Sequence, residues 1–301
     1  MNILSFDIGG TFIKYGVLNQ EGKILYRSKV QTPKTDCKIT IPAEITRLID
    51  EISLNFGINN IGISTAGQVD SRNGIVSYAN YLLPNYTGCE LSNIIKGRFG
   101  IETFVENDAN CAALGEMWKG AGVDSSNFIC LTLGTGVGGS IILNRKLYKG
   151  SHGAAGEFGD LITTKEYLTG DKHEYVYNNS ASTRSLINRY TMLTGKKIDG
   201  PELMIKVKNK DNKAVNVYND FFNSLISGLV NITYILDLDR IVIGGGISAQ
   251  GDYFFDELNS RFNKILTPSF KKTNIKIIKA ELENDAGLLG ACYICLNRDY
   301  F

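Results

Sequence analysis

Three carboxylates and three glycine-rich turns are the residues whose types and spacing could do chemistry. Asp7 stands one residue past an apolar strand, 2–6, and leads into Gly9-Gly10-Thr11. A second turn, Gly134-Thr135-Gly136-Val137-Gly138-Gly139, lies between apolar runs at 127–133 and 141–143. A third, Gly244-Gly245-Gly246, follows the run 241–243. Glycine reaches φ > 0 and leaves backbone N–H groups uncovered, so such turns can wrap phosphate oxygens. Four glycines within six residues exceed what an ordinary hairpin turn needs. Three such turns, with a carboxylate in the first, suggest one nucleotide held between two lobes.

Asp108 sits where a strand, 103–106, gives way to a helix, 109–118. There it reads as a helix N-cap or as a carboxylate facing a cleft. Small residues around Glu157 leave room for a ligand, although the same stretch also reads as a surface loop. In chemical roles, Gly9, Gly10 and the glycines at 134, 136 and 138 can hold phosphate oxygens. Thr11, Thr135 and Lys14 can bond or neutralise phosphates. Asp7 can bind Mg²⁺, directly or through water, because that hard ion takes oxygen ligands and keeps waters. Asp108 can accept the proton of a hydroxyl attacking a γ-phosphate. Phosphoryl transfer needs little beyond alignment, charge neutralisation and one base. The turns match neither a Walker A loop nor a dinucleotide fingerprint, since the flanking hairpins and the missing Gly-Lys-Ser/Thr argue against both.

The elements that must position these groups alternate. Strand, turn, strand, turn, strand over 2–30 predicts a β-meander. Ile45, Leu48, Ile49, Ile52 and Phe56 fall at helical spacing, and 60–64 reads as the next strand. A helix between strands implies a crossover and a mixed α/β sheet. Small and polar residues end the strand 60–64, where ligands sit in open α/β sheets, so Gly67 reads as a substrate's backbone neighbour or a plain loop glycine. A loop follows at 80–88 and a short helix at 90–100. Beyond Glu157, the stretch 163–179 reads as polar and irregular. Helices are predicted at 182–194, 201–209 and 214–236, the last with a broad apolar face. A helix at 254–265, a strand at 275–279 and a helix at 286–296 close the chain.

At 301 residues, two domains are expected. A net charge of +1 gives no electrostatic case for nucleic acid or an anionic membrane. No apolar run approaches the ~20 residues needed to span a bilayer, and the N-terminus lacks signal-peptide features. Of the six cysteines only Cys292 and Cys295 form a Cys-x-x-Cys pair, which in an apolar helix-like tail reads as packing, and the pattern fits a reduced cytoplasm. With only His152 and His173 beside them, a Cys/His metal cage is not expected.

Four stretches together resemble the ROK family of bacterial sugar kinases and repressors. They are 7–11, 106–116 (Glu-Asn-Asp-Ala-Asn-Cys-Ala-Ala-Leu-Gly-Glu), 133–139, and 152–159 (His-Gly-Ala-Ala-Gly-Glu-Phe-Gly). The likeness resumes at 244–246 and closes at 285–291. It implies the actin-like ATPase (ribonuclease H-like) α/β fold, with two lobes and a central cleft. It implies ATP with Mg²⁺, transfer to the 6-hydroxyl of a hexose, and a homodimer. Expected boundaries are 1–117 plus 286–301 for the smaller lobe and 118–285 for the larger. Asp108 is the implied base, and Gly67, Asn107 and Glu157 are the implied sugar contacts, with Asn80, Asp108 and Asp160 completing the set. Gly245 and Gly246 join the nucleotide side.

The sequence departs from the family at one place. Many members carry a His three residues after the glutamate, then a Cys-rich zinc loop. Here that position is Asp160, and 161–179 has no cysteine, so no zinc is expected. A second family glutamate falls near Asn178 and Asn179. Residues 63–69 and 74–76 resemble N-acylmannosamine kinases, so N-acetylmannosamine is the expected sugar, with glucose or a β-glucoside as the alternative. A repressor would need a DNA-binding domain before the core, and Asp7 stands too near the start for one. A silent sugar sensor would be expected to lose the base, which is present.

Overall fold

The computed structural model describes residues 1–163 and 176–297. Its contacts divide the chain into two compact units: residues 1–124, 146–155 and 281–301, and residues 125–145 and 156–280.

The first unit begins with the meander β1 (Asn2–Ile8), β2 (Phe12–Asn19) and β3 (Ile24–Gln31). β1 becomes a central strand, so both of its faces are covered: Leu4, Phe6 and Ile8 on one face and Ile3 and Ser5 on the other are fully buried, and Asp7 continues the second face. The helix Cys37–Ser53 buries the face formed by Ile41, Ile45, Leu48, Ile49 and Ile52. It crosses over to β4 (Asn60–Thr65), which pairs parallel to β1. A small antiparallel hairpin, β5 (Gln68–Asp70) and β6 (Ile75–Tyr78), and the helix Leu91–Phe99 precede β7 (Glu102–Asn107). The sheet order is β3-β2-β1-β4-β7.

Two helices complete this unit. Asp108–Lys119 follows β7 directly, and Ala286–Leu296 packs against it and against β1 and β4. The latter is apolar all round, as a helix between layers must be. The approach is close enough that a Cβ at Gly290 would overlap the Cys111 carbonyl, and one at Gly62 the Ala291 carbonyl. Near the end of the first helix, the fully buried Glu116 carboxylate accepts backbone N–H groups from Ala121 (2.8 Å), Glu281 (3.1 Å) and Leu282 (2.9 Å). It thereby fixes the segment leaving this unit to the segment returning to it.

The second unit repeats the plan. β8 (Phe128–Leu133) and β9 (Val137–Leu143) form an antiparallel hairpin, after which a short strand, β10 (Lys146–Tyr148), carries the chain back to the first unit. β11 (Arg240–Gly244) lies parallel to β8, and β12 (Lys276–Lys279) parallel to β11. The long helix Asn212–Leu236 buries Val217, Phe221, Phe222, Leu225, Ile226 and Leu229, the apolar face expected from its spacing.

Two of the differences from the sequence reading lie at a short hairpin and a short helix. The β5–β6 hairpin was not anticipated, because strands of three and four residues give too short an alternation to register. A helix, Tyr177–Ala181, begins at the end of the stretch read as irregular; Tyr177 anchors it, its hydroxyl donating to the Leu225 carbonyl at 2.6 Å.

Candidate active site

At the Asn107-Asp108 junction the capping task falls to Asn107 and not to Asp108. Asn107 is the cap: its backbone is extended (φ −62°, ψ 148°) and its Oδ1 accepts the Asn110 N–H at 3.1 Å. Asp108 is the first helical residue, so its carboxylate is not needed as the cap. The Asn107 amide nitrogen donates to the Gly67 carbonyl at 2.8 Å and to Asp108 Oδ1 at 3.0 Å. One side chain therefore joins three of the residues expected on the sugar side. Gly67 has φ +103°, and a Cβ there would stand 2.5 Å from the Tyr78 carbonyl, so the position requires glycine.

Asp108 is partly exposed. Burial, and next the Asp7 charge, push its carboxyl up to about 7, against hydrogen bonds from Ala109 and Asn107 that favour the ionised form. A carboxylate poised there is suited to take a proton near neutral pH. Asp7 lies on β1, where its Oδ1 accepts from Ser64 Oγ at 2.8 Å and its Oδ2 pairs with Lys14 at 3.3 Å. Its oxygens suit a hard cation. Among the described residues no three His, Cys, Asp or Glu cluster to cage a metal. Mg²⁺ needs no such cage, because one or two carboxylates, water and substrate phosphates suffice.

The first glycine turn is braced rather than left-handed. Thr32 Oγ1 donates to the Gly9 carbonyl at 2.7 Å, and Lys34 Nζ bonds the Gly10 carbonyl. Thr11 is exposed at its tip. Asn80 is exposed in the loop after β6, its Oδ1 accepting the Leu82 N–H at 3.0 Å.

In the second unit, none of Gly134, Gly136, Gly138 and Gly139 has positive φ, and neither has Gly9 or Gly10 in the first. The expectation that these turns use the left-handed region is thus corrected, and at Gly136 and Gly139 close packing is the reason for glycine. A Cβ at Gly136 would stand 2.8 Å from Asn178 Oδ1, and one at Gly139 would overlap the Phe158 ring. Gly134 and Gly246 face open space, where a ligand could approach backbone. Gly245 does adopt positive φ, +88°. Thr135 is exposed at the turn.

The helix Thr183–Thr194 begins at this turn. Thr183 Oγ1 donates to the Leu133 carbonyl at 3.1 Å, and the Arg184 N–H to the Gly134 carbonyl at 3.1 Å. A helix N-terminus favours anions, so this end suits phosphate. Asn178, where the family's second glutamate was expected, instead supports the turn: its Oδ1 accepts the Val137 N–H at 2.7 Å. Glu157 and Asp160 are exposed on either side of Phe158 and Gly159, which are buried. Residues 164–175, including His173 and most of the stretch expected to lack zinc, lie outside the described residues.

The first unit thus brings together Asp7, Lys14, Gly67, Asn107 and Asp108. The second brings together Gly134, Gly136 and the start of the helix Thr183–Thr194. The sequence reading missed Ser64, Asn178 and Thr183 as supports. Their partners are distant in the chain, and no local pattern announces such pairs.

Comparison with known proteins adds to this geometry. The ROK family model matches residues 3–298. A β-glucoside kinase from Listeria innocua is 33% identical over 304 residues, covering 99% of each chain. A Listeria monocytogenes structure, provisionally assigned as an N-acetylmannosamine kinase, superposes with TM-score 0.90 at 31% identity, covering 99% of this chain and 100% of that one. A Streptomyces griseus glucokinase solved with glucose and AMPPNP gives TM-score 0.81 at 29% identity, covering 99% and 100%. The chain shares the actin-like ATPase fold of these sugar kinases.

Proposed function

The chain belongs to the ROK family, and on that premise we propose that it is an ATP-dependent sugar kinase that phosphorylates the 6-hydroxyl of a hexose. The observation that carries this reading is the Asp108 carboxyl, held by Asn107 and raised to about 7.

In this reading Asp108 takes the proton of the sugar 6-hydroxyl as that oxygen attacks the γ-phosphorus. The bond from the γ-phosphorus to the bridging oxygen breaks, and ADP leaves. Asn107 orients the base, while Gly67, Asn80, Glu157 and Asp160 contribute to the sugar site. Gly9, Gly10, Thr11, Lys14, Gly134, Thr135, Gly136, Gly138, Gly245 and Gly246 are the residues that this reading gives to ATP. Asp7 would hold Mg²⁺, directly or through water. When bound, that ion supplies neutralisation of phosphate charge.

For the sugar, N-acetylmannosamine is the first reading, supported by the 63–69 stretch and the provisional assignment of the Listeria monocytogenes structure. A β-glucoside is the second, favoured by the Listeria innocua relative. A coupled assay of ADP release over N-acetylmannosamine, glucose, cellobiose and N-acetylglucosamine separates them. The expected outcome is highest kcat/KM on N-acetylmannosamine. Highest kcat/KM on glucose or cellobiose would overturn that choice and leave the kinase reading intact.

A homodimer in the cytoplasm is part of the same proposal. Its supports are the family resemblance and six cysteines that are all unpaired and buried. No helix among the described residues is long and apolar enough to cross a membrane.

A further inference from the structure

Glu106, the residue before the Asn107-Asp108 pair, is 1% exposed. A buried carboxylate is costly unless paired and hydrogen-bonded, and this one has four partners. Its Oε1 accepts from the Asn107 backbone N–H at 2.8 Å and from Asn110 Nδ2 at 2.9 Å. Its Oε2 accepts from Ser71 Oγ at 2.8 Å and pairs with Lys149 Nζ at 2.7 Å.

These partners come from separate pieces of the first unit. Asn107 and Asn110 are the cap and first turn of the helix that carries Asp108. Ser71 lies in the β5–β6 turn, just past Gly67 and Gln68. Lys149 stands at the stem of a loop, its carbonyl accepting the Ala155 N–H at 3.2 Å. The ammonium therefore ties that loop to the residue that sets the backbone of the base.

We propose that Lys149 is a positioning residue for phosphoryl transfer: through the buried Glu106 it holds the Asn107-Asp108 cap, the β5–β6 turn and the 149–155 loop as one preset sugar-binding assembly. The proposal rests on the kinase reading above. Lys149 touches Glu106 and need not touch the substrate. Its effect should therefore fall on the sugar and the chemical step, leaving nucleotide binding alone. A displacement of about 1 Å at a reacting group costs on the order of 10²-fold in rate, which sets the scale of the loss.

The test is steady-state kinetics of Lys149→Met and Lys149→Arg on the sugar that the wild type turns over best, with thermal unfolding measured alongside. The expected result for Lys149→Met is a loss of about 10²-fold in sugar kcat/KM, split between a raised sugar KM and a lowered kcat, with KM for ATP within about twofold. Lys149→Arg, which retains the ion pair, should recover to within about threefold. Lys149→Met strands a buried charge, so Glu106→Gln/Lys149→Met serves if the single variant does not fold. The double variant should show the same sugar-selective loss. Wild-type kcat/KM in whichever variant folds, or equal losses for sugar and ATP, would overturn the inference. Failure of the wild type to phosphorylate any hexose would instead overturn the kinase reading itself.

Discussion

Replacing Asp108 with Asn is expected to lower kcat by about 10²–10⁴-fold while leaving ATP affinity within about threefold. The amide keeps the size of the side chain and can still meet Asn107, but it cannot take a proton. A general base contributes that range in rate, and the nucleotide contacts assigned here do not include Asp108. The same substitution should raise stability above neutral pH. The Asp108 carboxyl titrates near 7 in the fold, above its ordinary value of 3.8. A raised carboxyl pKa means that ionisation is disfavoured in the folded state. The stability linked to that proton is fully present below the ordinary value and is lost as pH rises through about 7. Asn removes the ionisation. The gain at pH 8 should be about 1–2 kcal/mol, after discounting the shift for partial exposure. Near pH 4 the gain should vanish. A variant that is inactive yet more stable at pH 8 cannot be explained by misfolding. Full activity in Asp108→Asn would remove the assigned base.

The second large effect lies in packing. Gly290→Ala should destabilise the first unit by about 3 kcal/mol or more, because the added methyl would overlap the Cys111 carbonyl oxygen. Backbone cannot rotate away as a side chain can, so the helices Asp108–Lys119 and Ala286–Leu296 would have to separate. A loss of this size corresponds to a fall of about 6–12 °C in the unfolding midpoint. Circular dichroism on heating would measure it, and a midpoint within 2 °C of wild type would contradict the close approach. The helix carrying Asp108 shares this contact, so activity should decline with it.

What was legible in the sequence follows how local the signal is. Asp7 before Gly9-Gly10, and Asn107-Asp108 before a helical run, are read from neighbours a few residues apart, and the structure has them at a strand end and a helix start. The crossover and the mixed sheet followed from the helix lying between β3 and β4, whereas the parallel pairing of β4 with β1 is seen only in the fold. The reason for the glycines was less legible. A string of glycines suits left-handed backbone and close packing alike, and only the fold reveals Phe158 and Asn178 against Gly139 and Gly136. Glu106 and Glu116 look like ordinary charged residues of a strand and a helix. Their partners, Lys149 for one and the Glu281 and Leu282 N–H groups for the other, are brought to them by tertiary structure alone. Asn178 likewise lies near the position of a second family glutamate, and its bond to Val137 gives it a structural task.

The measurement that bears most directly on Asp108 as the base of a sugar kinase is wild-type kcat/KM for the sugar against pH, at saturating Mg-ATP. The base must be ionised to act, and its carboxyl titrates at about 7. The expected profile rises tenfold per pH unit below about 7 and levels off above it. A profile flat from pH 5 to 8, or one that falls across that range, would contradict the assignment.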